Sequence, residues 1–173
     1  MSSELENLYQ QIILDHAKRR VGQGSTDPAS GAGSVPEEEP AAGSPVAGAL
    51  ATGALATGAS HQLNPICGDE LTLRVWIADS RIKRVVWEGA GCAISMASAS
   101  VLTELVSGET RDDMMEQLDR FRELMRSRGT IVPDEEVLGD AAAFAGVSRF
   151  PARVKCAMLA WVALEEAVLA ANC

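Results

Sequence analysis

From Leu71 onward the chain alternates with a period of two. Leu71, Leu73, Val75 and Ile77 fall on one side, and Thr72, Arg74, Trp76 and Ala78 on the other, the pattern of a strand with one buried face. Asp79-Ser80 breaks the run, and Ile82 to Glu88, rich in Val and Trp, predicts a second strand returning as an antiparallel hairpin. His61-Gln62-Leu63 reads as a short strand ahead of both.

Elsewhere the apolar positions follow helical spacing. Leu5, Leu8, Tyr9, Ile12 and Ile13 predict an amphipathic helix over 4–20, opened by the capping-box spacing of Ser3 and Glu6. Its basic end, Lys18-Arg19-Arg20, complements the negative pole of the helix dipole. A helix over 94–107 carries small residues, Ser95, Ala97, Ser98, Ala99 and Ser100, suited to close packing of helix on sheet, and Gly108 sits where its cap belongs. Thr110 as N-cap opens another, through Met114, Leu118, Phe121 and Met125, ending before Gly129. Asp134, Glu135 and Glu136 read as a solvated acidic loop, and a short helix is predicted over 137–145. Pro151, at a first-turn position where its missing N–H is harmless, opens a last helix with Val154, Met158, Trp161, Val162, Leu164 and Val168 on its apolar face. The sum is an α+β domain, a small antiparallel sheet packed against several helices.

One stretch has neither period. Over 22–60 the composition shifts to Gly, Ala, Ser, Pro and Thr, and Gly48-Ala49-Leu50-Ala51-Thr52 repeats as Gly53-Ala54-Leu55-Ala56-Thr57. So little apolar side chain does not offset the entropy of ordering, which predicts a disordered insertion within a single domain spanning 1–173.

Composition then narrows the function. With 47% hydrophobic residues in 173, the chain is long enough for one buried core. A net charge of -9 argues against phosphate-backbone binding, so partners are expected to be proteins or small ions, not nucleic acid. The first residues lack a basic and then apolar leader, and no apolar run reaches the length of a membrane span; a cytoplasmic protein without a membrane partner is expected. In a reducing compartment, four cysteines point to metal binding or thiol chemistry and away from structural disulfides.

Asn64-Pro65-Ile66-Cys67-Gly68-Asp69 sets a thiol and a carboxylate two residues apart around a glycine, able to point the same way if Gly68 takes a positive φ. Cys92, behind Gly89 and Gly91, and Cys156, in the first turns of the last helix, supply two more thiols. Three thiolates and a carboxylate suit a tetrahedral zinc ion, and both helix N-termini are expected to favour thiolate over thiol. No C-x-x-C is present, and taken singly each cysteine is as well explained as a small buried hydrophobe. His61 is a rival ligand by proximity, yet both it and His16 are expected at the surface; Met114, Met115 and Met125 are expected in the core, and Cys173 as an exposed spare thiol.

Three segments together resemble a known family. Asn64 to Asp69, Gly89 to Ser100 (Gly-Ala-Gly-Cys-Ala-Ile-Ser-Met-Ala-Ser-Ala-Ser), and Phe150-Pro151-Ala152-Arg153-Val154-Lys155-Cys156 look like the signatures of the IscU/SufU-like iron-sulfur assembly proteins, the family of the NifU N-terminal domain. Lys155 before the last cysteine, the extra segment around 110–145 and the lack of a Leu-Pro-Pro-Val-Lys motif are similar to the SufU branch. The resemblance implies zinc on Cys67, Asp69, Cys92 and Cys156. It implies that Cys67 accepts persulfide sulfur from a SufS-type, pyridoxal-phosphate cysteine desulfurase, one of whose histidines replaces Cys67 on the zinc, and that the sulfur passes on to the Suf scaffold complex. Arg153 resembles a desulfurase-contact position, and Arg153 and Lys155 together are read as partner-binding. The rival readings are a scaffold that builds a [2Fe-2S] cluster on the same ligands and a purely structural zinc module.

Overall fold

A computed structural model of the chain describes residues 3–26 and 55–171. In order these form α1 (Ser3–Arg19), β1 (Ala56–Asn64), β2 (Asp69–Ala78), β3 (Arg81–Ala90), α2 (Ala93–Val106), α3 (Arg111–Arg126), α4 (Glu135–Leu138), a 3-10 segment (Gly139–Arg149) and α5 (Pro151–Ala170). The strands make one antiparallel sheet in the order β1-β2-β3.

The alternating run of β2 behaves as its pattern demands: Leu71, Leu73, Val75 and Ile77 are buried while Thr72, Arg74, Trp76 and Ala78 are half-buried. Leu73 faces Trp87 and Val75 faces Val85 across the hairpin, whose register shifts once between Trp76 and Ile77. Asp79 and Ser80 both take left-handed φ, 52° and 58°, so this two-residue turn has the handedness that matches strand twist without a glycine.

α5 lies across β1 and β2. At Gly58 it comes so close that a Cβ would sit 1.8 Å from the Ala167 carbonyl oxygen, so only glycine fits. The small face of α2 serves helix–helix contact with α1 and α5 more than contact with the sheet. There the Ser98 hydroxyl donates to the Ala157 carbonyl at 2.6 Å and accepts from Trp161 Nε1 at 3.1 Å. Trp161 in turn stacks on Phe121 at 4.3 Å, tying α3 to α5. The α3 N-terminus is fixed by a capping box between Thr110 and Asp113.

Four further expectations change. Both ends of the 22–60 segment are ordered. Gly24 N–H donates to the Trp87 carbonyl, Trp87 N–H donates to the Gly22 carbonyl, and Ala56 to Ser60 pair with β2, because backbone ladder bonds need no large side chains. Its middle, 27–54, lies outside the described residues, as does Cys173. The helix expected over 137–145 is four residues of α4 followed by 3-10 geometry, since Gly139 turns to φ 47°. Asp134 is its N-cap, accepting from the N–H groups of Glu136 and Val137, and is not merely solvated.

The fourth is His16, which is 1% exposed instead of at the surface. Its Nδ1 is 2.9 Å from Ser100 Oγ and its Nε2 is 3.1 Å from Asp140 Oδ2, so it links α1 to α2 and to the 3-10 segment. A helical stripe displays a histidine without saying that its two nitrogens are both satisfied, which is what allows burial. His16→Ala is expected to lower stability by about 2–4 kcal/mol through the lost bonds and the cavity. Chemical denaturation checks this, and a loss below about 0.5 kcal/mol, the ordinary size of a surface effect, would contradict the linking role.

Candidate metal centre

Two local devices build the turn between β1 and β2. Asn64 Oδ1 accepts from the Ile66 N–H at 3.2 Å, and the Gly68 N–H donates to the Asn64 carbonyl at 2.8 Å with Gly68 at φ 74°. The turn leaves Cys67 exposed and delivers Asp69, 3% exposed, as the first residue of β2.

The end of β3 approaches from the other side of β2. Gly89 pairs with Leu71, and a Cβ there would meet the Glu70 carbonyl at 2.3 Å. A Cβ at Gly91 would meet Ser95 Oγ at 2.6 Å and Asp69 Cγ at 2.8 Å, so both glycines are needed to bring Cys92 beside Asp69. Cys92 is the N-cap of α2, with its own N–H donating to Asp69 Oδ1 at 3.0 Å and its sulfur 3.5 Å from Ser95 Oγ. The Ser95 hydroxyl donates to Asp69 Oδ2 at 2.9 Å.

Cys156 arrives from the second turn of α5, 3% exposed, with its sulfur 3.6 Å from that of Cys67 and 3.9 Å from Asn64 Nδ2. The ligand atoms of Cys67, Asp69 and Cys156 all lie within 4.8 Å of one another. Two sulfurs on one tetrahedral zinc stand about 3.8 Å apart, given zinc–sulfur bonds near 2.3 Å, so the observed 3.6 Å already matches that spacing. The Cys92 sulfur stands outside this group, turned to Ser95. The chemistry of the donors, three soft sulfurs around one hard oxygen, fits zinc or iron.

The electrostatics of the metal-free chain correct one expectation. Burial pushes the Cys156 thiol well above its usual range, and the neighbouring Asp69, Cys67 and Cys92 groups add to it, so the helix N-terminus does not make this sulfur a thiolate. Burial acts the same way on Asp69 but is outweighed by hydrogen bonds from Ser95 first and then from the three cysteines, leaving its carboxyl below the usual carboxylate range. The centre therefore combines an ionised carboxylate with a protonated buried thiol.

Of the other candidates, Arg153 and Lys155 are exposed on the first turns of α5. Arg153 borders a groove floored by Ile13, Leu14, Ile94 and Phe150, and among the described residues neither cation has an ion-pair partner. His61 is exposed and bonded to Thr72 Oγ1 at 2.9 Å, apart from the ligand group. Ser95 and Asn64 stood within the quoted segments without a role; each is a polar residue at cap or turn spacing from a cysteine, and that was the only available signal. Ser95→Ala is expected to weaken binding of a metal on Asp69 about 10–100-fold, as loss of an orienting hydrogen bond does. Competition against a chromophoric chelator measures it, and an unchanged affinity would mean that the carboxylate needs no such support.

Comparison with known proteins gives a consistent result. The family model described as NifU-like N terminal domain matches residues 8–157. The iron-sulfur cluster assembly scaffold protein IscU of Streptococcus pyogenes serotype M1 is 31% identical over 166 residues, covering 96% of this chain and 86% of the relative. The zinc-dependent sulfurtransferase SufU of Bacillus subtilis strain 168 is 31% identical over 167 residues, covering 96% and 93%. Among solved structures, a candidate iron-sulfur cluster assembly scaffold protein for the SUF system from Fervidobacterium islandicum AW-1 superposes with a TM-score of 0.63 at 29% identity, covering 96% of this chain and 99% of the other.

Proposed function

Because the chain belongs to the NifU-like N-terminal domain family of iron-sulfur cluster assembly proteins, we propose that it is a zinc-dependent sulfur acceptor of the SufU branch. It takes persulfide sulfur from a SufS-type cysteine desulfurase and passes it to the Suf scaffold complex. The observation that carries this reading is the single exposed thiol of the cluster, Cys67, 3.6 Å from a buried one. Cys67, Asp69, Cys92 and Cys156 would hold the zinc, Cys92 after a side-chain rotation away from Ser95. When bound, zinc keeps its thiolate ligands deprotonated without a separate base.

The roles of the chain's own residues follow from their placement. Cys67 stands in a turn open to solvent, where a partner's persulfide can reach it. Its thiolate attacks the outer, sulfane sulfur of the desulfurase cysteine, the S–S bond there breaks, and the desulfurase thiolate leaves. Asp69, clamped by Ser95 and the Cys92 N–H, holds one side of the site fixed while Cys67 moves. Arg153 and Lys155, exposed and unpaired among the described residues, present two cations close to the last cysteine for the partner. No described helix is long and apolar enough to cross a membrane.

A second reading, a scaffold building a [2Fe-2S] cluster on the same ligands, is favoured by the equal identity to the relative named IscU. Purification separates the two. The acceptor is colourless, carries about one zinc per chain and accelerates cysteine-dependent sulfide release by the desulfurase. Brown protein with visible charge-transfer bands and no acceleration would favour the scaffold.

A further inference from the structure

Taking Cys67 as the acceptor, we propose that Cys156 is a resolving thiol: once the metal has left, it discharges a persulfide on Cys67 as sulfide and closes a Cys67–Cys156 disulfide.

The argument is one of distance and access. Sulfurs 3.6 Å apart are in van der Waals contact, and a disulfide at about 2.05 Å needs a closure smaller than one bond length. Cys67 has room to make it, because it is exposed in the turn that joins β1 to β2. Cys156, at 3% exposure, is screened from thiols in solution, so its available sulfur partner is the one at the rim. Among the described residues Cys92 is the remaining thiol near the pair, and its sulfur is turned to Ser95 and lies outside the close group.

The step balances without an added reagent. The Cys156 sulfur attacks the inner sulfur of the Cys67 persulfide and the Sγ–Sγ bond forms. The bond from Cys67 Sγ to the sulfane sulfur breaks, and that sulfur leaves with the Cys156 proton as hydrogen sulfide. The two cysteine sulfurs are oxidised and the sulfane sulfur is reduced by the same electron pair. With Cys156 held as a metal ligand, its lone pair is engaged and the persulfide persists. A carrier that has lost its metal would therefore empty itself instead of delivering sulfur.

The test uses the full metal-free chain, loaded with sulfur from inorganic polysulfide, desalted, and followed by intact mass and sulfide detection, with near-ultraviolet circular dichroism confirming the fold. The persulfide is expected to decay to a species two hydrogens lighter than the dithiol, releasing one sulfide per chain, with Cys67 and Cys156 joined in the mapped peptides. Cys156→Ser, and Cys156→Ala as a second variant, are expected to slow that decay at least about tenfold, the proximity advantage being lost. Zinc added after loading, to engage Cys156, is expected to preserve the added sulfur. A persulfide equally durable in the unaltered chain and in the Cys156 variants, or a disulfide mapped to Cys92, would overturn the proposal, and so would a Cys67 that takes no sulfur from polysulfide. If both Cys156 variants unfold, the mapped disulfide and the zinc effect in the unaltered chain decide. Because polysulfide replaces the desulfurase, discharge here combined with no transfer from a desulfurase would count against the acceptor function alone.

Discussion

Cys67→Ser is expected to lower sulfur acceptance from a cysteine desulfurase by at least about a thousandfold, because a hydroxyl is almost never ionised near neutrality and attacks sulfur far more weakly than a thiolate. The fold is expected to survive. Cys67 is exposed and outside the buried core, so the exchange costs no packing, and surface changes of this kind stay within about 0.5 kcal/mol in the metal-free chain. Loss of activity with an unchanged denaturation midpoint of the metal-free protein is thus the expected pair of results. A variant that keeps a tenth or more of the acceptor activity would remove Cys67 from the reaction.

The second large effect is on metal affinity as a function of pH. In the metal-free chain burial holds Cys156 protonated at neutral pH, and ligation must displace that proton. Asp69 lies below the usual carboxylate range, so it is already ionised and contributes no proton until the solution is far more acidic. The sign is then fixed by the thiols: lowering the pH restores the proton competitor and weakens binding. With that proton to displace, zinc affinity is expected to fall at least about tenfold for each unit of pH lost between about 8 and 6. Stability of the zinc-loaded protein should fall in parallel, since a ligand that binds only the folded state adds stability in proportion to the logarithm of its occupancy. A fall smaller than about tenfold per unit would mean that fewer than one proton leaves, and that these thiols are not the ligands.

Much of this architecture was legible beforehand because local patterns carried it. The alternation from Leu71 to Ile77 fixed both the strand and its buried face. Thr110 and Pro151 marked two helix starts through the backbone groups they satisfy or do without. The hairpin turn at Asp79-Ser80 was visible as a break, though its left-handed geometry was not.

What stayed hidden depends on contacts distant in sequence. β1 begins at Ala56, inside what reads as low complexity, because the strand is held by ladder bonds to β2 and by the close approach of α5 at Gly58. His16 looked like a surface residue because its partners, Ser100 and Asp140, lie 84 and 124 positions away. The same holds at the metal centre. The positions of Cys67, Asp69, Cys92 and Cys156 stand out in the chain, but Ser95 as the clamp on Asp69 and Asn64 as the neighbour of Cys156 appear only after β2, α2 and α5 have met. The thiolate expected for Cys156 failed for a related reason: the dipole of a helix terminus is a local property, whereas the burial that outweighs it is set by the packing of the whole domain.

The most direct measurement is intact-protein mass spectrometry, with peptide mapping, of the zinc-loaded chain mixed with a SufS-type desulfurase and cysteine. One sulfur atom gained per chain, mapped to Cys67 and missing when the desulfurase is left out, is the predicted result. A chain whose mass stays unchanged while the desulfurase turns over, or whose added sulfur maps elsewhere, would contradict the account.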